Sequence, residues 1–560
     1  MNEPAFRCLV LSDFNSQNLC GYLNHDASPP RVHAEAGPYG QVIEPLLDAS
    51  HPCWAERPGV VLVWTRPETA VPSFGRLLEF QPGKPEQAIA EVDRYARHLL
   101  RLADRATTVF VPTWVLPPPY RGLGMLDLKH PAGAARTLLE MNARLAANLS
   151  EAPGFYVLDA QRWIALAGPK SCNPQLWYMG KIPFAPAVFR EAAADLKAAL
   201  AGLRGAARKL LILDLDDTLW GGIVGEVGWQ HLRLGGHDPV GEAFADFQRA
   251  IRALKNRGVI LGIVSKNDQH LALEAIASHP EMVLRLEDFA GWRINWRDKA
   301  QNILELVEEL NLGPQAAVYI DDDAGQRQRI RGALPEVFVP DWPADKLLYR
   351  QALESLRCFD APELSQEDRT RAEMYARDRQ RRQCAASFQS VDEWLEDLEI
   401  RVDVEALSQD NLPRAAQLLN KTNQMNLTTR RMTAQELWHW SQQPQHRLWT
   451  FRVRDRFGDC GLVGIASLEW SGDQGTIVDF VLSCRAFGRR IEEAMMHVLL
   501  RHARTLALRR VEARYLPTAR NAPCLEFFAG TSGFRREVDD TFHWDLEKDY
   551  LAPAAIQLVQ

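Results

Sequence analysis

The cysteines of this chain lack the spacing that metal sites and disulfide frameworks need. Nine of them are scattered along 560 residues, and no two form a C-x-x-C pair. Structural zinc sites and disulfide scaffolds are built on closely spaced cysteines, so the pattern argues against both. Isolated, reduced thiols are typical of cytosolic proteins, and we therefore expect a cytoplasmic setting.

The chain also lacks long apolar runs and an excess of positive charge. No run approaches the ~18 residues of a membrane helix. The sequence does not open with a basic region and an apolar core, so we expect neither a membrane span nor export. The 65 basic and 72 acidic residues give a formal charge of −7, which offers no general attraction to nucleic acid or to an anionic membrane. The sequence indicates no particular oligomeric state.

The distribution of apolar runs divides the chain into four segments. Residues 1–205 and 206–345 alternate short apolar runs with helical patterns, which predicts two α/β domains with mostly parallel sheets. Residues 346–390 are highly charged and predict a helical connector, with Ser365 as the N-cap of its helix. Residues 391–560 combine helical patterns with several strand-like runs, which predicts an α+β domain.

The pentad DLDDT at residues 214–218 is the most informative stretch of the sequence. It follows an apolar run that predicts a buried strand. If the strand continues, Asp214 and Asp216 face the same way and repel each other, because side chains two residues apart share one face. A divalent cation with oxygen ligands, most plausibly Mg²⁺, would relieve that repulsion.

Polar residues also follow the later strands of this segment in a fixed order. Ser265 ends the second predicted strand, Lys299 opens a helix, and Asp321 and Asp322 end the last strand. The carboxyl ends of parallel strands meet at the edge where open α/β sheets bind ligands. Mg²⁺ and Lys299 would supply the positive charge that phosphoryl transfer needs, with Asp214 as the attacking group.

This order of residues resembles the haloacid-dehalogenase (HAD) phosphatase superfamily over residues 206–345. The resemblance implies that Asp214 is the nucleophile and Asp216 the general acid and base. The implied ligands of Mg²⁺ are Asp214, Asp216, Asp321 and Asp322. The implied substrate-binding and phosphate-binding residues are Thr218, Ser265 and Lys299.

Longer motifs resemble a narrower family. They are LDLDDTLWGGIVGE, VSKND, INWRDKAQNI, YIDDDAGQR, LNKTNQMNLTTRR and SDFNSQNL. Together they resemble the FkbH-like proteins of polyketide biosynthesis over nearly the whole chain. The resemblance implies dephosphorylation of 1,3-bisphosphoglycerate and transfer of its glyceryl group, through a cysteine thioester, to an acyl carrier protein. Asp322-Asp323-Ala324 stands where Asp-Asn-Pro is expected, which should alter the loop more than the charge around the metal.

The last segment resembles a GNAT-type acyltransferase. In that fold a loop before a helix holds pyrophosphate on backbone N–H groups. Here the loop would begin at Arg485, and Arg490 replaces its final small residue, which disfavours coenzyme A. Arg485, Arg489 and Arg490 would instead attract a phosphopantetheine arm or an acidic carrier helix; the alternative is a solvated basic helix start.

Two further residues of this segment are candidates for the acyl-transfer site. Cys484 precedes the loop, where arginines and a helix N-terminus favour the thiolate, so it is the candidate acyl carrier, ahead of Cys20 and Cys172. A buried structural cysteine is the alternative. Asn423, in the polar motif at residues 421–426, would line a groove for glycerate hydroxyls, or the motif would cap helix ends and loops.

The first segment resembles an SGNH-hydrolase-like domain. Ser12 and Asp13 follow the first predicted strand, where that fold carries its nucleophile. The closing Asp-x-x-His motif is missing, because residues 173–184 contain no histidine. We therefore expect a non-catalytic docking or scaffold domain.

Three functions are compatible with these patterns. The first is the carrier-loading enzyme, which combines a phosphatase and an acyl transferase. The second is a Mg²⁺-dependent phosphatase that acts on a free small molecule and needs no cysteine. The third is a non-enzymatic carrier-docking protein, which the intact pentad, Ser265 and Lys299 disfavour.

Overall fold

The computed structural model describes residues 5–116, 120–362, 390–518 and 520–559, together with residues 381, 384 and 388. The helix that Ser365 was expected to cap lies outside these residues. The chain divides into two compact units, Met1–Ala201 and Gly202–Gln560. Among the described helices, none combines the length and the apolar character that crossing a bilayer requires.

The first unit is built on a sheet of five parallel strands in the order β2-β1-β3-β4-β5. The strands are β1 (Phe6–Ser12), β2 (Val32–Ala36), β3 (Val60–Trp64), β4 (Thr108–Pro112) and β5 (Phe155–Leu158). The prediction of a parallel sheet is confirmed. The sequence analysis missed β2, because its side chains alternate between buried and exposed and form no apolar run.

Helices connect these strands. They are α1 (Gln17–His25), α2 (Ile43–Leu47), α3 (Pro67–Ala70), α4 (Pro72–Leu78), α5 (Pro85–Leu100), α6 (Ala134–Ser150), α7 (Ala160–Ala167), α8 (Pro174–Gly180) and α9 (Pro186–Leu203). Helix α5 shows why they form. Proline stands at its first turn, where no backbone donor is lost, and Ala88, Val92 and Leu99 make one buried stripe.

The second unit begins with four parallel strands in the order β8-β7-β6-β9. The strands are β6 (Leu210–Leu213), β7 (Ile260–Ser265), β8 (Phe289–Ile294) and β9 (Ala317–Ile320). All four residues of β6 are buried, as expected for a central strand covered on both faces. The sequence analysis missed β8, whose apolar run is interrupted by Gly291 and by the half-buried Arg293.

The helices of this part surround the sheet. They are α10 (Val224–Val227), α11 (Pro239–Asn256), α12 (Gln269–Ser278), α13 (Lys299–Glu309), α14 (Ala324–Ala333) and α15 (Tyr349–Glu354). Helix α11 has one apolar face, on which Phe244, Phe247 and Ile251 are buried. Asp238 caps its first turn by accepting hydrogen bonds from the backbone of Val240 and Gly241.

A mixed, mostly antiparallel sheet forms the rest of the second unit. Its order is β16-β17-β15-β14-β13-β12-β10-β18, and β11 pairs with β14. The strands are β10 (Ile400–Ala406), β11 (Met425–Asn426), β12 (His446–Asp455), β13 (Gly458–Ser471), β14 (Gln474–Leu482), β15 (Arg510–Arg514), β16 (Arg535–Arg536), β17 (Thr541–Asp545) and β18 (Ile556–Val559). The helices are α16 (Val391–Asp397), α17 (Leu412–Lys421), α18 (Ala434–Ser441), α19 (Ile491–Thr505) and α20 (Ala522–Ala529). Strands β14 and β15 are parallel, with α19 between them in sequence.

The four-stranded parallel sheet presents two edges to possible ligands. We call the side where β6, β7 and β9 end its carboxyl edge, and the side where they begin its amino edge. Asp214 follows β6 at the carboxyl edge, whereas Lys209 precedes β6 at the amino edge. Five residue steps of extended chain separate the two positions by roughly 16 Å.

Candidate active site

Three strands bring polar side chains together at the carboxyl edge. Asp214 follows β6, Ser265 ends β7, and Asp321 follows β9. The strands pair in register there, with Leu213 beside both Ile263 and Ile320. Asp214, Ser265 and Asp321 are buried, with 8%, 2% and 0% of their surface exposed. The sheet therefore gathers the residues that sequence order predicted at this edge.

Lys299 bridges two of these carboxylates. Its Nζ donates to Asp214 Oδ2 at 2.8 Å and to Asp321 Oδ2 at 2.6 Å. The lysine opens α13, whose first turn is capped by Asp298. Burial lowers the pKa of Lys299, but the charges of Asp214 and Asp321 outweigh it and leave the pKa raised. The ammonium therefore stays charged and compensates part of the negative charge.

The Asp214 carboxyl is unusually basic for an aspartate. Burial raises its pKa, Lys299 lowers it, and repulsion from Asp321 raises it again. The Ser265 hydroxyl lowers it further, and the balance is a pKa of about 6. A carboxyl group with this pKa is ionised at neutral pH and protonated in mild acid.

Asp322 is fixed by the loop that follows the pentad. The Thr218 hydroxyl donates to Asp322 Oδ1 at 3.3 Å and accepts from the Asp322 backbone N–H at 3.2 Å. Lys346 Nζ lies 3.5 Å from the Asp322 carboxylate. Burial raises the pKa of Asp322, and Lys346 opposes this effect. Thr218 is fully buried and ties the loop after β6 to the loop after β9.

The donor set fits a small divalent cation. Asp214, Asp321 and Asp322 can each offer one oxygen, and these oxygens lie within 4.8 Å of one another. Asp214 Oδ1 is buried and has no hydrogen-bond partner among the residues that the structure describes. A buried carboxylate oxygen without a donor is costly, and a cation would satisfy it. Carboxylates of this kind, completed by water, are the ligands that Mg²⁺ prefers.

Asp216 lies outside this group of three carboxylates. Its Oδ1 accepts from Trp220 Nε1 at 2.8 Å and from the Val224 backbone at 3.1 Å, and its Oδ2 accepts from Asn267 Nδ2 at 2.8 Å. The expectation that it shares a face with Asp214 assumed a continuing strand. Strand β6 instead ends at Leu213, and Asp217 is left-handed with φ 53°. The role of Asp216 as a metal ligand therefore stays a prediction.

The structure adds side chains that the sequence analysis missed. The Tyr319 hydroxyl donates to Asp321, and Asn267 donates to Asp216. Both have a local signal, since Tyr319 lies two residues before Asp321 in the strand pattern and Asn267 lies two residues after the end of β7. Lys346, which lies beside Asp322, has no such local signal in the sequence, because it comes from a segment beyond the last strand of the sheet.

Cys484 and Asn423 lie at the opposite side of the sheet. Both line a cavity at the amino edge, together with Lys209 before β6 and Gln315 before β9. Cys484 also packs against the apolar cluster that contains Leu210. The structure thus brings the two predicted acyl-transfer residues together, but it places them at the edge away from Asp214.

Two of the arginines after Cys484, Arg489 and Arg490, are paired with carboxylates. Arg489 is 3% exposed, and its Nη1 lies 2.9 Å from Asp455 Oδ2. Arg381 pairs with the same carboxylate at 2.7 Å. Arg490 pairs with Asp392 at 2.8 Å on the surface. The prediction that Arg489 attracts a ligand is therefore wrong, because its guanidinium is buried and paired with Asp455. The Arg485 side chain lies outside the described part of the structure.

Comparison with solved structures supports the phosphatase-like part of the chain. No family model and no curated protein matches it. The N-terminal part of a Bacteroides fragilis protein, described as containing a phosphatase domain complexed with Mg, is 25% identical over 64% of this chain and 95% of that one, with a TM-score of 0.59. Residues 206–345 are a quarter of the 560 residues, so this likeness extends beyond them.

Acetyltransferase structures also match part of the chain. The ribosomal-protein-S18-alanine N-acetyltransferase of Escherichia coli is 11% identical over 27% of this chain and 97% of its own, with a TM-score of 0.20. The spermidine N-acetyltransferase of Vibrio cholerae is 16% identical over 26% and 96%, with a TM-score of 0.22. Scores of this size carry no argument about the function of this chain.

The first prediction concerns the cation. Mg²⁺ at about a hundred times its dissociation constant should stabilise the protein by about 2.7 kcal/mol. Asp322→Asn should weaken Mg²⁺ binding by about tenfold or more, since even the loss of an outer partner has that effect. Calorimetric titration measures the affinity. Asp323→Asn is the matched control, because Asp323 only caps α14 and asparagine can cap as well. Equal affinity in both variants would contradict the assignment.

The second prediction concerns pH. Because the pKa of Asp214 is about 6, a proton competes with Mg²⁺ below that pH, and apparent affinity should fall about tenfold per pH unit there. Above pH 7 it should level off. The stability of the metal-free protein should depend on pH in the opposite direction. The native state binds the proton of Asp214 more tightly than the unfolded chain does, so the free energy of unfolding should decline as pH rises through about 6. A Mg²⁺ affinity that stays constant in titrations from pH 5 to 8 would refute the predicted competition between the proton and Mg²⁺.

The third prediction separates the two arginines. Arg489→Ala leaves Asp455 with one of its two buried partners and should cost about 3–5 kcal/mol of unfolding free energy. Arg490→Ala removes an exposed pair and should cost about 0–1 kcal/mol. Urea denaturation of the full chain measures both. Comparable losses would mean that Arg489 is not a buried structural ion.

Proposed function

We propose that this protein is a Mg²⁺-dependent phosphatase that also transfers an acyl group, loading glyceryl from 1,3-bisphosphoglycerate onto an acyl carrier protein. One observation carries the phosphatase half. Asp214, Asp321 and Asp322 surround one position, and a buried oxygen of Asp214 has no partner there among the described residues. Likeness to a phosphatase-domain structure crystallised with Mg supports the same assignment.

The phosphoryl step uses the groups at the carboxyl edge. An oxygen of Asp214 attacks phosphorus, an Asp–O–P bond forms, and the P–O bond to the leaving oxygen breaks. Lys299 and Ser265 lie beside Asp214, where they can hold the phosphoryl oxygens. When bound, Mg²⁺ would supply the remaining positive charge at Asp214, Asp321 and Asp322.

Asp216 is the proposed proton donor and acceptor. Burial raises its pKa, which favours a protonated fraction. It gives its proton to the leaving oxygen, and it then takes a proton from the water that cleaves the Asp–O–P bond. Hydrogen bonds from Asn267, Trp220 and the Val224 backbone hold its carboxylate in a fixed position.

The acyl step is proposed for Cys484. Its thiolate attacks the carbonyl carbon of the acyl phosphate, the C–S bond forms, and the C–O bond to phosphate breaks. The thiol of the phosphopantetheine arm then attacks this thioester and regenerates Cys484. Asn423 lines the same cavity, where its amide can meet the glycerate hydroxyls. Asp214 lies at the other edge of the sheet. It therefore removes phosphate from a ligand while that ligand is not bound to Cys484.

The first unit is proposed as a docking domain of SGNH-like type. Its strand order β2-β1-β3-β4-β5 is that of a doubly wound sheet. The Ser12 hydroxyl accepts from the Phe14 backbone, and the Asp13 carboxylate pairs with Arg66 at 3.2 Å. Asp13 is thus engaged by a cation rather than poised beside a histidine, which supports a non-catalytic role.

A simpler phosphatase is the second candidate. The carboxyl edge contains every group that the phosphoryl step uses, and none of them lines the cavity with Cys484. A phosphatase that acts on a free small molecule would therefore need nothing from the amino edge. A measurement of acyl transfer to the carrier protein distinguishes this simpler phosphatase from the carrier-loading enzyme.

The fourth prediction tests the division of labour. Asp214→Asn should lower phosphate release from a monoester such as 3-phosphoglycerate by about a thousandfold or more. Cys484→Ala should keep that activity within about twofold and abolish the mass gain of a holo-carrier incubated with 1,3-bisphosphoglycerate and Mg²⁺. Intact-protein mass spectrometry reads the carrier.

Cys172→Ala is the control, because Cys172 is half-buried like Cys484 but lies in the first unit. It should leave both activities intact. A carrier that gains no mass with the unaltered protein would leave the simpler phosphatase as the function. Phosphate release that survives in Asp214→Asn would remove the phosphatase assignment itself.

A further inference from the structure

We propose that the loop between β4 and α6 is a docking surface for an acidic protein partner, which the proposed function identifies as the acyl carrier protein. Only the identity of that partner rests on the acyl-transfer half of the proposed function. The surface itself is defined by residues 121–130 of the first unit, which we call the docking loop.

The connection that contains the docking loop is unusually long. Strand β4 ends at Pro112 and α6 begins at Ala134, so residues 113–133 join them. Connections between a strand and a helix in α/β folds usually take about 2–6 residues, and loops longer than about 12–15 residues are usually functional. Joining β4 to α6 does not require a segment of this length.

A buried carboxylate holds the docking loop in one conformation. Asp127 Oδ1 accepts from the backbone N–H groups of Leu123 at 3.0 Å and Ala134 at 3.1 Å. Its Oδ2 accepts from the Ala135 backbone N–H at 2.9 Å, so the same residue also caps α6. Gly122 has φ 48°, and a Cβ there would lie 2.3 Å from Asp127 Oδ1, so this turn requires glycine. A loop fixed in this way loses little conformational freedom when a partner binds.

The docking loop exposes apolar side chains that its own packing does not cover. Met125, Leu126 and Leu128 are 93%, 46% and 64% exposed. Single exposed apolar residues are normal in folded proteins. Three of them close together on a fixed loop instead form a patch of the kind that marks interaction sites.

A second exposed apolar segment lies at the same end of the five-stranded sheet. Helix α8 exposes Tyr178 and Met179 by 77% and 88%. The helix lies at the carboxyl ends of the strands, because the Arg66 guanidinium, just after β3, is 4.2 Å from the ring centre of Trp177 in α8. The docking loop follows β4, which is the neighbour of β3 in the sheet. Both apolar segments are therefore at the end where open α/β sheets bind their ligands.

The exposed charges of these two segments are positive. Arg121 and Lys129 are exposed in the docking loop, whereas its one carboxylate, Asp127, is buried and accepts backbone N–H groups. Helix α8 contains no charged residue, and the exposed Lys181 follows it. Neither Arg121 nor Lys129 pairs with a carboxylate of the described residues. The apolar patch therefore has a basic rim.

A basic rim around an apolar patch selects among possible partners. A second copy that docked by the same loop would bring Arg121 and Lys129 against their own counterparts, and like charges repel. An anionic membrane would attract the loop but repel a chain whose formal charge is −7. A protein that presents carboxylates around a small apolar patch complements both features of the loop. The acidic helix of an acyl carrier protein has this chemistry.

The size of the surface suits a partner that must leave again. A few exposed apolar side chains and three cations form a small interface, and small interfaces are typical of transient encounters. Cations at the rim of such an interface mainly raise the rate of association. A carrier that delivers its arm and then departs needs this combination of fast association and modest affinity.

The test is binding of the apo-carrier to the full-length protein. The apo form of the carrier used in the mass measurement lacks the phosphopantetheine thiol, so docking is measured without acyl transfer. Fluorescence anisotropy of the labelled carrier gives the dissociation constant. Arg121→Gln combined with Lys129→Gln should weaken binding about tenfold, because the rim loses positive charge. At 1 M salt, where the Debye length is about 3 Å, this double variant and the unaltered protein should bind within about twofold of each other.

Variants of the apolar side chains should respond differently to salt. Met125→Ser and Leu128→Ser should each weaken binding about tenfold at low and at high salt, because burial of apolar surface is not screened. Arg101→Gln is the matched control, since Arg101 is exposed in the same unit but precedes β4 at the other end of the sheet. It should bind the carrier as tightly as the unaltered protein. Every variant should keep the urea midpoint and the phosphate release of the unaltered protein, because the altered side chains are exposed and distant in sequence from Asp214.

The outcomes separate this surface from the proposed function. A holo-carrier that gains mass equally fast in the docking-loop variants, at carrier concentrations below saturation, would overturn docking here and leave acyl transfer intact. An apo-carrier that docks through the loop, while its holo form gains no mass, would keep the docking surface and remove acyl transfer.

Four results overturn the proposal directly. One is the absence of binding up to about 1 mM apo-carrier, the weak end of useful affinity. Another is a loss of affinity in Arg101→Gln as large as that of the double variant. A third is a lower urea midpoint in Met125→Ser and Leu128→Ser, which would mean that the patch is covered within the chain. The last is binding of the unaltered protein to anionic vesicles instead of the carrier, with loss of that binding in the same variants.

Discussion

Three carboxylates share the carboxyl edge of one small sheet with a single bridging lysine, and the surrounding structure depends on this imbalance. Lys299 contacts Asp214 and Asp321, and Lys346 lies 3.5 Å from Asp322, so two lysines compensate only part of the charge of the three carboxylates. Burying the remainder is costly unless further positive charge is present. The hydrogen bonds from Tyr319 and Thr218 orient the carboxylates but add no charge. The arrangement is therefore complete only with a cation, and the same positive charge is what a phosphoryl group needs.

The strands of the parallel sheet separate the carboxylate site at one end from the cavity with Cys484 at the other end. Its carboxyl edge is rich in buried carboxylates, whereas the cavity at its amino edge is lined by cations and a thiol. The two ends of β6 therefore suit different tasks: the carboxylates at one end could hold a cation, and the cavity at the other end contains the thiol proposed for acyl transfer. A ligand carried on a flexible arm could visit both edges, which a fixed thioester on Cys484 could not.

Sequence order predicted the carboxyl edge well because parallel strands end on one side. Residues at the end of an apolar run, such as Asp214, Ser265 and Asp321, can be placed at the carboxyl edge without knowing which strands are neighbours. The placement of Asp216 was beyond such reasoning, because β6 ends at Leu213 and the alternation of side chains in a strand no longer applies to the residues that follow. Lys346 was equally hidden, since its approach is a tertiary contact without a local pattern.

The arginines near Cys484 show why counting charges along a sequence misplaces electrostatic sites. Arg489 is adjacent to the thiol loop in sequence, yet it is buried against Asp455, which also binds Arg381. Among the cations that line the cavity with Cys484, Arg414 and Lys209 lie 70 and 275 residues before it, and Arg520 lies beyond α19. Arg489 therefore stabilises the interior of the domain, although it is close to Cys484 in sequence. Cys484 lies in a cavity lined by residues from distant parts of the chain, so substitutions far from it in sequence should change the access of a ligand to the thiol.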